Sequence, residues 1–169
     1  MRRVAGCILT LSLLRASSAL GQQEAGDVEL QFQGYYFRTV GTDFEFSSGV
    51  ITGKIGPFIT NNLQVGVGPT LTITSSALGG TQTTFGSTAF FVYSFLLRNA
   101  KAVPYFGAQY FKQDFSNSDE VGNVGINAGM KYFFAKKTAF DFSGNYLFSL
   151  NEGGEGGLLY FAVGLSFLL

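Results

Sequence analysis

Histidine and tryptophan are absent from the 169 residues, cysteine occurs once, at position 7, and only 13% of the residues are charged. Each scarcity removes a class of function. Without histidine the chain lacks the side chain that most often acts as general base near neutral pH and as metal ligand. The lone cysteine falls within the first ten residues, so the rest of the chain has neither a disulfide framework nor a catalytic thiol. The charged share is about half that of an ordinary soluble domain. Long apolar runs are missing too: no window reaches the ~18 uninterrupted apolar residues of a membrane helix. What the chain does hold is 19 Phe, 8 Tyr and 23 Gly. Aromatic and glycine richness with little charge and no helical span is the composition of a membrane β-barrel.

Residues 1–21 read as a secretory signal peptide, to be set aside before the fold is considered. Arg2 and Arg3 form a basic start, 4–14 is an apolar run, and Ala19 and Gly21 put small residues at both cleavage-determining positions ahead of Gln22. Val4-Ala5-Gly6-Cys7 has the form of a lipoprotein box, but only six residues precede the cysteine and the apolar run follows it, which argues against lipidation. Removing 1–21 takes Arg2, Arg3 and Arg15 and no acid, leaving eight basic against eleven acidic residues, a formal charge of −3. That sign disfavours a nucleic-acid partner.

The remaining residues, 22–169, are expected to form one domain. Its pattern is plainest in the last twelve residues. Leu159, Phe161, Val163, Leu165, Phe167 and Leu169 alternate with Tyr160, Ala162, Gly164 and Ser166. Period two makes a strand with one large apolar face and one face of small or amphipathic side chains. On a helix the same large residues would be spread around the whole cylinder. At the edge of a soluble sheet such a strand would invite aggregation. It fits where the apolar face meets lipid and both edges are paired, in a closed barrel.

Seven further segments follow. Strand 27–37 sets Val28, Leu30, Phe32 and Tyr36 against Glu29, Gln31, Gln33 and Tyr35, and strand 47–59 sets Ile51, Ile55 and Ile59 against Ser48, Thr52 and Lys54. In 63–74, Leu63, Val65, Val67, Leu71 and Ile73 oppose Gln64, Gly66, Gly68, Thr70 and Thr72. Pro69 within that strand cannot donate to a ladder and predicts a bulge or a locally unpaired site. Strand 85–97 carries large apolar side chains at both parities, which leaves its facing open, and 104–115 is the fifth strand. Segment 121–134 sets Val124, Ile126, Ala128, Met130 and Tyr132 against Asn123, Gly125, Asn127, Gly129 and Lys131. Segment 138–150 sets Phe140, Phe142, Tyr146 and Phe148 against Asp141, Ser143 and Asn145. The expected fold is all-β: an eight-stranded antiparallel up-and-down transmembrane β-barrel, closed by pairing 27–37 with 158–169.

The connections alternate in character. Segments 60–62, 98–103 and 135–137 read as short turns, the first because Asn61 and Asn62 tolerate left-handed φ and cap their own backbone. Segments 38–45, 76–84, 116–120 and 151–157 read as loops. With the N-terminus on the periplasmic side the turns are periplasmic and the loops extracellular. Charge divides the same way: Arg98, Lys101, Lys136 and Lys137 lie in the turns, and Asp43, Glu45, Asp119, Glu120, Glu152 and Glu155 in the loops.

Two stretches carry a resemblance. Gly164-x-x-Phe167-x-Leu169 resembles the C-terminal sorting signal of bacterial outer-membrane β-barrels, with Leu169 where Phe or Trp is usual and Ala162 where a polar residue is common. Gly56-x-Phe58-Ile59-Thr60-Asn61-Asn62-Leu63-x-x-Gly66 resembles the glycine–aromatic–turn–glycine segment between strands two and three of the small eight-stranded outer-membrane barrels related to outer-membrane protein A. The resemblance covers 27–169. It implies export to the outer membrane, contact there with lipid and lipopolysaccharide, and handling by the barrel-assembly machinery during biogenesis. Gly164, Phe167 and Leu169 would serve as the assembly signal, and the barrel would be a monomer. No periplasmic peptidoglycan-binding domain is expected, since the sequence stops at strand eight.

No catalytic constellation stands out. Enzymes among barrels of this kind act on lipid A or peptides with general bases that typically include histidine. Asp141 with Ser143 is the only nucleophile–base pair on an inward face, and a polar lumen lining accounts for both. Asp119-Glu120 and Glu152 with Glu155 are too sparse for a metal site. The glycine-rich 151–157 lacks the Lys-Ser/Thr and the helix of a phosphate loop. Hence no catalytic residue, metal or cofactor is expected.

What the facing does gather is Glu29, Lys54, Lys131 and Asp141, all inward and all toward the periplasmic half. Charges in so narrow a tube must pair. The four are therefore expected to form an interior charge network that plugs the lumen, Lys54 and Lys131 each meeting Glu29 or Asp141. A gate in a conduction path is the alternative. The expected function is that of a non-enzymatic outer-membrane barrel with a plugged polar lumen and a structural or surface-presenting role. Its rivals are a small porin- or transporter-like barrel passing small or apolar molecules, and a secreted lipocalin-like barrel, which would put apolar residues inside and polar ones outside.

Overall fold

The computed structural model describes residues 23–39, 46–77, 79–97, 100–114, 122–150 and 157–169. Eight strands follow in chain order: β1 (Val28–Arg38), β2 (Phe46–Pro57), β3 (Leu63–Ser76), β4 (Gly80–Ser94), β5 (Ala102–Lys112), β6 (Asn123–Ala135), β7 (Thr138–Ser149) and β8 (Gly157–Leu168). Each pairs antiparallel with its chain neighbours, and β1 pairs with β8 to close the barrel. The signal peptide, the loop expected over 116–120 and residues 40–45 lie outside the described residues, as do 151–156 of the loop expected over 151–157, whose last residue, Gly157, instead opens β8.

The alternation read from the sequence sets the facing. In β1, Glu29, Gln31 and Gln33 are buried while Phe32 and Tyr36 are exposed. Outward apolar side chains such as Ile51, Val67, Ile126, Phe142 and Val163 form a band around the wall. Rings gather near both rims: Tyr93, Phe95 and Phe106 lie within 5.8 Å of one another at the end bearing the short turns, and Tyr146 and Phe148 are 4.6 Å apart toward the other. Aromatic girdles bounding an apolar band are what a bilayer selects.

β4 shows why its parity was ambiguous. Thr88, Phe90, Val92 and Ser94 are buried in the lumen, whereas Phe85, Phe91 and Tyr93 are exposed outside. Two large apolar residues thus belong to the interior. The expected loop 76–84 is also corrected: β3 and β4 stay paired out to Ser76 and Gly80, leaving a connection over 77–79. Thr81, Gln82 and Thr83 are exposed at both parities, and among the described residues β4 pairs with β5 only from Ser87 on. This part of the hairpin stands beyond the wall, and water on both faces removes the alternation that marks a strand. The turn expected over 98–103 is displaced toward the N-terminus, since β4 ends at Ser94 and β5 begins at Ala102. A register shift between Phe133 and Ala135 carries β6 to Ala135, so Lys136 and Lys137 alone form the last turn.

The turn at 60–62 is held differently from expectation. Thr60 Oγ1 accepts hydrogen bonds from Asn62 N at 3.2 Å and Leu63 N at 3.0 Å. The asparagine side chains reach outward instead: Asn61 Oδ1 accepts from Ala25 N at 2.8 Å, and Asn62 Nδ2 donates to Ser94 O at 2.7 Å.

Pro69 produces an unpaired site, not a bulge. Thr52 pairs with Thr70 and Ile55 with Val67 in one continuous register, with Gly53 and Lys54 left unpaired opposite Pro69 and Gly68. The backbones press together here, so that a Cβ on Gly68 would lie 1.8 Å from Gly53 O. Gly68→Ala is accordingly expected to destabilise the barrel by about 1–3 kcal/mol, the usual cost of overpacking. Gly53→Ala adds a methyl that meets only the Phe32 ring at 3.6 Å, and should stay within about 0.5 kcal/mol of the parent. Urea midpoints in detergent micelles compare the two.

Candidate functional site

The lumen is built in layers, counted from the end where β1 starts and β8 finishes. The lowest is apolar: Phe58, Val103, Phe133, Ala139 and Leu168 pack as a buried cluster, with Leu96 against it.

The charged residues lie directly above. Lys131 Nζ donates to Glu29 Oε2 at 2.5 Å, both side chains almost wholly buried. The same ammonium is 5.7 Å from the Phe58 ring centroid and 5.5 Å from that of Tyr105. Asp141 is satisfied by neutral donors: Gln31 Nε2 at 2.6 Å on one oxygen, and Tyr105 Oη at 2.6 Å and Gln33 Nε2 at 3.2 Å on the other. Lys54 Nζ donates to Gln33 Oε1 at 2.9 Å and lies 5.4 Å from the Phe90 ring centroid.

Lys54 therefore departs from the expected pairing. It meets an amide rather than a carboxylate, and Gln33 stands between it and Asp141, using its oxygen toward one and its nitrogen toward the other. The register explains the bridge. Gln33 is opposite Gly164, and Gly164 is opposite Asp141. With no side chain at 164, Gln33 lies across that position, where a Cβ would fall 2.8 Å from its Cγ. Tyr105 reaches Asp141 over Gly129 in the same manner, a Cβ there falling 2.5 Å from the tyrosine ring. Gly164, read from sequence as part of an assembly signal, thus also makes room for a lumen contact. Phe167 pairs with Leu30 and Thr138, and Leu169 N donates to Val28 O at 2.8 Å.

Gln33 and Gln31 were legible as inward residues but not as the bridge and donor they are. Tyr105 and Phe90 went unassigned. Phe90 packs with Val92 and Tyr105 as a third layer. Above it Tyr35 stacks on Tyr160 with centroids 4.0 Å apart, and Gln109 Nε2 donates to Tyr160 Oη at 3.0 Å. Free space at this level, beside Gln33, Lys54 and Gln109, is about 20 Å³.

This barrel is similar to the N-terminal β-barrel domain of Pseudomonas aeruginosa OprF, with 20% identity and a TM-score of 0.59 over 87% of this chain and 100% of that one. It is similar also to a chain from the de novo design of transmembrane β-barrels, with 15% identity and a TM-score of 0.57 over 88% of this chain and 99% of the other. The chain has the fold of a transmembrane β-barrel. No family model matches the sequence, and no curated protein does.

In a transmembrane barrel the outward band faces lipid, so chemistry is confined to the lumen and its ends. Asp141 and Ser143 are not joined there: the carboxylate oxygens go to Gln31, Gln33 and Tyr105, and Ser143 Oγ accepts from Asn145 Nδ2 at 2.9 Å. Among the described residues no group of three or more His, Cys, Asp or Glu side chains converges as a metal site would. At the loop end the lumen widens into a chamber of about 440 Å³. Phe37, Val50, Phe111 and Leu147 line it beside Ser48 and Thr72.

Proposed function

We propose that this chain is an integral outer-membrane β-barrel protein, non-enzymatic, with a plugged polar lumen and a structural or surface-presenting role at the cell envelope. The observation that carries the reading is the stack of layers across the lumen. An apolar cluster, a buried charged layer and an aromatic pair lie one above another, and the gap beside Lys54 is about 20 Å³. That holds roughly one water, too little for a continuous aqueous path. Eight strands favour such filling, because their interior is only wide enough for side chains.

The wall supports the membrane setting: apolar outside and polar within is the reverse of a lipocalin-like barrel. Export through residues 1–21, insertion by the barrel-assembly machinery, contact with outer-membrane lipid and lipopolysaccharide, and a monomeric state belong to the same reading. The end bearing the short turns is then periplasmic. Asp141, with its oxygens committed to neutral donors, has no free role as a base, which supports a non-enzymatic lumen.

Planar-bilayer recording tests the plug. The purified protein is expected to insert without a steady conductance. A steady conductance unaltered by Lys54→Ala or Glu29→Ala would overturn the plug and favour the porin-like reading.

A further inference from the structure

The β1–β8 ladder is short. It runs from Glu29 opposite Leu168 to Gly34 opposite Val163 and stops there. Beyond that point 35–37 still pair with β2, and 160–162 still pair with β7, but no ladder joins these two stretches. The closing ladder therefore ends partway up the wall, and above it the seam is held by side chains such as the Tyr35–Tyr160 stack. Unpaired backbone at membrane depth is disfavoured unless it lines a cavity, and here it does. Tyr35 and Phe37 from β1 and Leu158 from β8 all line the loop-end chamber.

The chamber's chemistry is unlike the layer beneath it. Its described lining mixes Phe37, Phe46, Val50, Phe111, Leu147 and Leu158 with Ser48, Thr72, Thr74, Gln113, Asn123 and Ser149, where a lumen facing only water would lack the apolar set. Among the described residues, no Lys, Arg, Asp or Glu lines it. Hydroxyls are spaced among the apolar groups, and Thr72 Oγ1 is buried with no partner among the described residues. Buried polar atoms are rarely left so without a reason. A volume of about 440 Å³ falls within the range of small-molecule sites. The Tyr35–Tyr160 stack forms its floor.

We infer that the chamber binds a small, uncharged, mostly apolar molecule bearing a hydrogen-bonding group, which reaches it from the membrane through the β1–β8 seam above Gly34, where no backbone ladder closes the wall. The inference rests on the membrane-inserted reading of the barrel and adds a ligand site above the plug. The apolar lining takes the body of the ligand, Thr72 meets its polar group, and a described lining without charge offers an ion no partner. Solution and membrane are the two sources of such a molecule, and the seam assigns the membrane.

The test uses the purified mature protein in phospholipid vesicles and two photoreactive probes. One is 4-(hydroxymethyl)benzophenone, which is neutral; the other is 4-benzoylbenzoate, which is anionic. The neutral probe should label chamber residues, read by mass spectrometry, at least tenfold more than the anion. Leu147→Trp, which fills the chamber, should lower labelling at least tenfold, and Leu158→Trp does the same should the first variant fold poorly. Equal labelling by both probes, or in wild type and a folded filling variant, overturns the site.

For the route, Tyr36→Cys with Phe161→Cys places two thiols on the outer faces of the seam, in a mature chain that has no other cysteine. Bridging them with a short bis-maleimide should slow labelling from probe-loaded vesicles at least tenfold, relative to the same variant capped with N-ethylmaleimide. Unchanged labelling overturns the lateral route and assigns access to the loop end. Heat-modifiable migration and silence in bilayer recording, measured on the same samples, separate a failure of this site from a failure of the barrel reading.

Discussion

Glu29→Leu should destabilise the barrel by about 3–5 kcal/mol, and adding Lys131→Met should restore most or all of that loss. The single change leaves the Lys131 ammonium without its carboxylate, between the Phe58 and Tyr105 rings and out of reach of water. The double change removes both charges and substitutes side chains of similar volume. Methionine at 131 would extend over the Phe58 cluster and methionine is adaptable enough to fill it. The pair is itself imperfectly satisfied, because Glu29 Oε1 is buried without a hydrogen-bond partner among the described residues. That makes full recovery, or a small gain, the expected outcome of the double replacement. Urea titration in micelles, followed by the heat-modifiable gel shift, measures all three proteins. Single and double variants equally weakened would mean that the two residues act separately.

Asp141 is held by neutral donors and not by a cation, and strand parity cannot foretell that difference. Strand parity was enough to put Glu29, Lys54, Lys131 and Asp141 inside, since period two leaves no freedom once one face is apolar. Partner choice follows from which strands stand beside each other and by how much they are staggered. Lys131 and Asp141 are cross-strand neighbours, yet Lys131 pairs with Glu29, three strands on around the closure. Asp141 is met by Gln31, Gln33 and Tyr105. Those contacts depend on Gly164 and Gly129 being side-chain-free at the right level, and alternation alone does not reveal that.

The same limit applies to the two ends of the barrel. Alternation reports a wall with unlike surroundings on its two faces. It fades in β4 near Gly80, where both faces are wet, and again at Phe90 and Val92, where both are apolar. The apolar chamber was hidden for that reason: Leu147 continues the inward series of Ser143 and Asn145, but its type argues for the outside. Parity, carried past the point where residue type agrees with it, would have found it.

Deleting 167–169 should abolish folded protein in the outer membrane, and two point substitutions should divide that effect into packing and recognition. Leu168 is buried in the apolar floor with Phe58, Val103, Phe133 and Ala139. Its backbone N donates to Lys137 O at 2.8 Å, and its position pairs with Glu29 at the start of the closing ladder. Leu168→Ala is a large-to-small core change, expected to cost about 2–5 kcal/mol in vitro. Leu169 lies beyond the last strand residue, and 63% of its surface is exposed. Leu169→Ser should therefore leave the urea midpoint of refolded protein within about 0.5 kcal/mol. In cells it should nonetheless lower the assembled fraction severalfold, if the terminal residues are read by the assembly machinery. Leu168→Ala should show the reverse balance, with stability falling more than delivery. If Leu169→Ser changes neither measure, the C-terminus works only as the strand that closes the barrel, and its likeness to a sorting signal reflects the apolar face that any last strand must turn to lipid.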